Sequence, residues 1–209
     1  AKKNGFDAVK FQTYKSELVS SKNLAAASYQ KRAGFKKMYS LLRKYQLSFE
    51  EFKELDRYCK IQKITFLSTP FDVESAKFLE SLNMKIFKVS SGDLDNFHLL
   101  NVIKKFKKPI ILSTGLAENI HQIKKTLKFL NYKKKQLAIL HCVSQYPVQY
   151  KYSNLIQLNE LKKLKITLGY SDHTIDNLSS VVAVALGAKI FEKHITLDKK
   201  MNGPDHKAS

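Results

Sequence analysis

Cysteine is scarce. Cys59 and Cys142 are the only two in 209 residues, and they lack CxxC spacing. That excludes a disulfide framework and fits a reducing compartment. Long apolar runs are missing too: none approaches the roughly 18 residues a membrane helix needs. The opening Ala1-Lys2-Lys3-Asn4-Gly5 has neither an initiator Met nor a signal-peptide apolar core. The chain therefore reads as soluble and cytoplasmic, with no membrane partner, and its start reads as an internal cut. Arginine is nearly absent, with Arg32, Arg43 and Arg57 the three among 37 basic residues. The formal net charge of +19 invites a nucleic-acid reading. Base and phosphate recognition leans on the guanidinium fork, however, and the lysines are spread in short groups such as Lys107-Lys108 and Lys133-Lys134-Lys135. A lysine-rich solvated surface with no nucleic-acid partner is the better reading.

With 44% hydrophobic and 11% aromatic residues, the chain has material for one substantial core. Short β-branched or aromatic runs alternate with amphipathic stretches, the pattern of βα units and a parallel sheet. The runs are 6–12, 64–68, 86–90, 110–113, 137–142, 166–171 and 189–195. From Ser90 their ends advance in steps of 23, 29, 29 and 24 residues, each long enough for a turn, a helix and a return. That regularity predicts a (β/α)8 TIM barrel, an α/β fold. Ser48-Phe49-Glu50-Glu51 is a capping-box pattern opening a helix through Cys59. Residues 177–186 read as a helix stopped by Gly187. Residues 14–45 break the rhythm as an excursion ending in a helix near 35–45, and such connections usually cover an active site. Seven strands leave the barrel one short. Residues 1–5 read as the last turn of a helix, so the expectation is a domain, 1–209, cut at both ends with its first strand missing.

Side chains alternate along a strand, so Lys10 and Gln12 share a face, as do Lys88 and Ser90, Ser171 and His173, and Glu192 and His194. Barrel active sites form at the C-terminal strand ends, where Thr69, Ser91, Ser113 and Ser144 also fall. Two inward lysines, Lys10 and Lys88, call for a multiply charged anion such as a phosphorylated carboxylic acid, with hydroxyls supplying further donors. A structural Lys10–Glu192 ion pair is the alternative. His173 and His194 end consecutive strands, suiting a divalent metal with open coordination positions. His98 and His121 fall in helical stretches as surface residues, and His141 within a strand as a structural one.

Taken in order, Lys10-Phe11-Gln12-Thr13, Phe66-Leu67-Ser68-Thr69-Pro70-Phe71, Phe87-Lys88-Val89-Ser90-Ser91-Gly92, Leu112-Ser113-Thr114-Gly115, His141-Cys142 with Tyr146-Pro147, Gly169-Tyr170-Ser171-Asp172-His173, and Glu192-Lys193-His194 with Gly203-Pro204-Asp205-His206 resemble the N-acetylneuraminate (sialic acid) synthase family over nearly the whole chain. The resemblance implies condensation of phosphoenolpyruvate with N-acetylmannosamine or a related N-acetylated hexosamine, giving a nine-carbon 2-keto acid and phosphate. It implies Mn²⁺ or Mg²⁺ on His173 and His194. It implies phosphoenolpyruvate contacts at Lys10, Thr69, Lys88, Ser91, Ser113, Ser144 and Ser171, and sugar contacts at Gln12, Tyr146 and Asp205. Glu192 would stabilise a cationic C2, and Asp93 or Asp205 would activate water; the family usually has Glu where Asp93 stands. The resemblance further implies a C-terminal antifreeze-like domain outside residues 1–209 and a domain-swapped homodimer. Legionaminic or pseudaminic acid synthesis is an alternative on the same scaffold. A Schiff-base aldolase using Lys10 or Lys88 and a non-catalytic binding module compete with these readings.

Overall fold

The computed structural model describes residues 1–27, 30, 31 and 34–209. Arg32 and three other residues of the excursion, Ser28, Tyr29 and Ala33, lie outside the described residues. The chain divides into two compact units, Ala1–Lys88 with Phe97–Pro109, and Val89–Asn96 with Ile110–Ser209.

In the first unit, β1 (Ala8–Thr13) pairs in parallel with β2 (Thr65–Pro70), from Ala8 opposite Thr65 to Thr13 opposite Pro70. Phe11 stacks on Phe66 at 5.5 Å and meets Phe52 edge-on at 6.4 Å. These rings belong to one face of the pair, and alternation puts Lys10, Gln12, Leu67 and Thr69 on the other. The excursion ends in α1 (Met38–Tyr45), beneath which Tyr14 donates to the Leu42 carbonyl at 3.1 Å. The helix α2 (Phe49–Ile61) opens on the expected capping box: Ser48 Oγ accepts from the Glu51 amide, and the Ser48 amide donates to the Glu51 carboxylate at 2.6 Å. Next come α3 (Val73–Ser81), capped by Asp72, and then β3 (Phe87–Val89), along which the chain passes into the second unit. The helix α4 (Phe97–Lys105) returns to the first.

The second unit holds β4 (Ile110–Ser113), α5 (Ile120–Leu130), β5 (Leu137–Cys142), α6 (Gln157–Lys162), β6 (Thr167–Asp172), α7 (Leu178–Ala185) and β7 (Ile190–Lys193). Its four strands pair in parallel in chain order. Every residue of β5 is buried, as expected of a strand covered on both faces. A core of Ile123, Ile139, Leu158, Leu161, Leu168, Tyr170, Ala183 and Ala188 joins sheet to helices. Gly169 is needed there, because a Cβ would stand 2.3 Å from Leu140 Cδ2 and 2.5 Å from the Ile190 carbonyl oxygen.

The fold is thus α/β with parallel strands, seven among the described residues, matching the seven sequence runs. The last run is shorter than expected, ending at Lys193 rather than Ile195, because its pairing with β6 stops at Asp172 opposite Lys193. Six helix-to-strand returns each pass through a left-handed residue: Lys63, Asn83, Lys107, Asn131, Lys165 and Gly187. Glycine fills only the last of these in a chain with seven glycines. Among the described residues no helix is long and apolar enough to cross a membrane.

Candidate active site

The chemistry of the second unit gathers past the ends of β6 and β7. Ser171 lies opposite Glu192 in register, and the chain leaves each strand two residues later through His173 and His194. Ser171 Oγ donates to Glu192 Oε1 at 2.8 Å. The imidazole centroids of His173 and His194 are 5.6 Å apart. Tyr146, from the loop after β5, lies 4.3 Å from the His173 ring and meets His194 edge-on at 5.6 Å. Strand alternation on β6 and β7 and the loop after β5 thus bring five of the expected residues, Tyr146, Ser171, His173, Glu192 and His194, to one cluster.

His173 is held on both its ring and its backbone. Its Nδ1 stands 2.7 Å from the Val143 carbonyl, which can only accept, so the ring carries its proton there and presents a bare Nε2. That nitrogen is 3.5 Å from Ser171 Oγ, whose proton is committed to Glu192. Burial of the ring pushes the His173 pKa down to about 4, outweighing the opposing carbonyl contact, so the imidazole is neutral near pH 7. The backbone carbonyl of His173 accepts from the Val148 amide at 2.9 Å. A neutral imidazole with Nδ1–H engaged by a carbonyl is the form that ligates metals. Among the described residues no group of three or more His, Cys, Asp or Glu is arranged to hold a metal ion. The His173 and His194 rings, 5.6 Å apart, could hold a metal as a pair, which would leave positions for water and substrate.

Ser91 and Ser144 approach each other at 3.4 Å between hydroxyls. Gly115 stands two residues past the buried Ser113, and a Cβ there would stand 2.5 Å from Cys142 Sγ and 3.0 Å from Ser144 Oγ, so the loop after β4 lies against the end of β5 and the loop that follows it. Asp93 is buried and turned onto its own loop: Ser90 Oγ donates to Oδ2 at 2.8 Å and Asn96 Nδ2 to Oδ1 at 3.0 Å. Asp205 begins the helical turn His206–Ala208, in which the His206 ring contacts Thr196 Oγ1 at 2.7 Å.

Within the first unit, Thr69 and Lys88 are almost wholly buried while Gln12 is exposed and Lys10 half-buried. Of the other histidines, His98 and His121 are exposed on helices, whereas His141 is buried with Nε2 2.8 Å from the Ser153 carbonyl. All three stand as the sequence predicted.

Sequence reasoning assigned no role to Asp172 and Lys193. They are the opposite charges in register on the reverse face of the same two strands, 3.4 Å apart, and alternation would have revealed them. The Val143 carbonyl left no signal, since a backbone acceptor has no residue identity.

The NeuB family profile matches residues 1–209. The chain belongs to the NeuB family. Among NeuB relatives, it is 43% identical over 212 residues to the N,N'-diacetyllegionaminic acid synthase of Campylobacter jejuni, covering 99% of this chain and 63% of that protein. It is 36% identical to human N-acetylneuraminate-9-phosphate synthase, covering all of this chain and 59% of the human one. A crystal structure of N-acetylneuraminic acid synthetase from Leptospira borgpetersenii in complex with citrate superposes with a TM-score of 0.88 at 32% identity, over 100% of this chain and 69% of that one. The chain spans about three fifths of the length of the curated relatives it matches.

Proposed function

We propose that the chain carries the catalytic site of a sugar-acid synthase. That enzyme condenses phosphoenolpyruvate with an N-acetylated hexosamine, releasing phosphate and a nine-carbon 2-keto acid. The supporting observation is the two-imidazole cluster beside Glu192 and Tyr146 in a member of the NeuB family. His173 and His194 would hold Mn²⁺ or Mg²⁺, which when bound supplies Lewis-acid polarisation of the open-chain sugar aldehyde.

The protein's own groups carry the rest. Tyr146, against both imidazoles, orients the sugar. Glu192, fixed by Ser171, offers negative charge to the C2 cation that develops as C3 of phosphoenolpyruvate bonds to the aldehyde carbon. Water then adds to C2, and the C2–O bond to the phosphate breaks, leaving the water oxygen as the keto group. Asp93, whose carboxylate oxygens accept from Ser90 and Asn96, or Asp205 serves as general base for that water. Lys10, Thr69, Lys88, Ser91, Ser113, Ser144 and Ser171 are assigned to phosphoenolpyruvate, and Gln12 to the sugar, on the family motifs alone. The dimer and the cytoplasmic setting belong to the same proposal.

Within this reading, an acceptor leading to N,N'-diacetyllegionaminic acid is favoured by the higher identity to that synthase, 43% against 36% for the human enzyme. The test supplies the complete protein with phosphoenolpyruvate carrying ¹⁸O at the bridging position, together with N-acetylmannosamine or its diacetamido counterpart. Label is expected in inorganic phosphate, with the diacetamido sugar turned over faster. Label retained in the nine-carbon acid overturns the mechanism, and a preference for N-acetylmannosamine overturns the acceptor assignment.

A further inference from the structure

Behind the two histidines, on the opposite face of β6 and β7, lies a polar cluster that the proposed chemistry does not use. Asp172 is fully buried and its carboxylate is saturated with donors. Oδ1 accepts from the Thr174 amide at 2.8 Å and the Thr174 hydroxyl at 2.7 Å. Oδ2 accepts from Ser180 Oγ, on α7, at 2.7 Å, and lies 3.4 Å from Lys193 Nζ. Lys193 also donates to the Thr174 carbonyl at 2.7 Å. One ammonium from the end of β7 therefore holds both residues that flank His173, namely Asp172 and Thr174. The backbone of that same lysine continues directly into His194.

The arrangement links the two imidazoles mechanically. A buried ion pair seldom adds much to stability over an apolar pair of equal volume, but its directional bonds fix one local geometry. Here they cross between the two strands at their last registered position, where the ladder ends and the chains depart toward His173 and His194, and they add to the bonds that the Val143 carbonyl and the Val148 amide make to His173. We infer that Asp172 and Lys193 are positioning residues that set the separation and tilt of His173 and His194, and through them the affinity of the pair for a divalent cation. The inference deepens the function proposed above and rests on its assignment of the two histidines as metal ligands.

The experiment titrates Mn²⁺ alone, without substrates, into the complete protein, read by the loss of the free-ion paramagnetic resonance signal. The thermal transition of each metal-free variant is recorded in parallel. His173→Ala is expected to abolish the binding. Lys193→Met keeps the length of the side chain but removes the crosslink, and is expected to weaken Mn²⁺ binding by about ten-fold or more while keeping a cooperative transition. Lys193→Arg, which can still bridge a carboxylate and a carbonyl, is expected to recover most of it. If Lys193→Met does not fold, Ser180→Ala removes one donor to Asp172 from a helix outside the histidine cluster, and a several-fold loss of affinity is expected. Native affinity in a folded Lys193→Met, or in Ser180→Ala where Lys193→Met does not fold, overturns the inference and leaves the metal reading standing. Binding that survives His173→Ala unchanged overturns both.

Discussion

At the scale of single residues, two buried imidazoles tie stability to pH. Burial lowers the pKa of His141, against the pull of its bond to the Ser153 carbonyl, and lowers that of His173 to about 4. In the unfolded chain both titrate near the ordinary value of about 6.5. As pH falls below that value the unfolded state takes up protons that the folded state refuses, so stability is intact above about 6.5 and declines on acidification. For His173 the decline continues to about pH 4 and amounts to about 3 kcal/mol. The urea midpoint should therefore drop between pH 7.5 and 4.5, and His141→Gln should drop less. A midpoint that is flat over that range would contradict the burial of both rings. The cluster of His173, His194, Ser171 and Glu192 was legible in the sequence because a strand has a period of two, which turns residue spacing into facing direction. The fixing of Asp93 by Ser90 and Asn96 was not, because a short turn has no period to read.

At the scale of elements, the turn chemistry departs most from expectation. The capping box at Ser48 and the glycine stop after α7 were legible because each is a local bonding pattern with its own residue types. The left-handed lysines were not, since lysine carries no turn signal and the conformation is imposed by the strand that must follow. Lys63, Lys107 and Lys165 have φ of 53°, 56° and 56°, where a Cβ crowds the backbone and glycine is relaxed. Replacing any one of them with glycine should raise stability by roughly 0.5–1 kcal/mol, the relief of strain exceeding the added chain entropy. Denaturant midpoints would show it, and a loss at all three positions would mean that the lysine side chains make contacts worth more than the strain. Ser48→Ala acts the other way and should cost about 1 kcal/mol through the lost cap.

At the scale of the whole molecule, seven motifs in order made the family legible, since each marks a strand end and their succession fixes the topology. The division into two units was hidden, because it is a property of contacts between segments far apart in sequence. Its consequence for fragments is specific. Leu94 is buried, and its carbonyl accepts from the Thr126 hydroxyl at 2.6 Å. Residues 110–209 expressed alone lack that segment and should show no cooperative thermal transition, whereas a sharp one would show that residues 89–96 are dispensable. The chain crosses between units three times, after Lys88, Asn96 and Pro109. On the ribosome, residues 89–96 must emerge and wait, because both the segment that finishes the first unit and the bulk of the second are still to be made. In heredity the same interleaving means that no single crossover in the gene can pass on both units whole to different descendants.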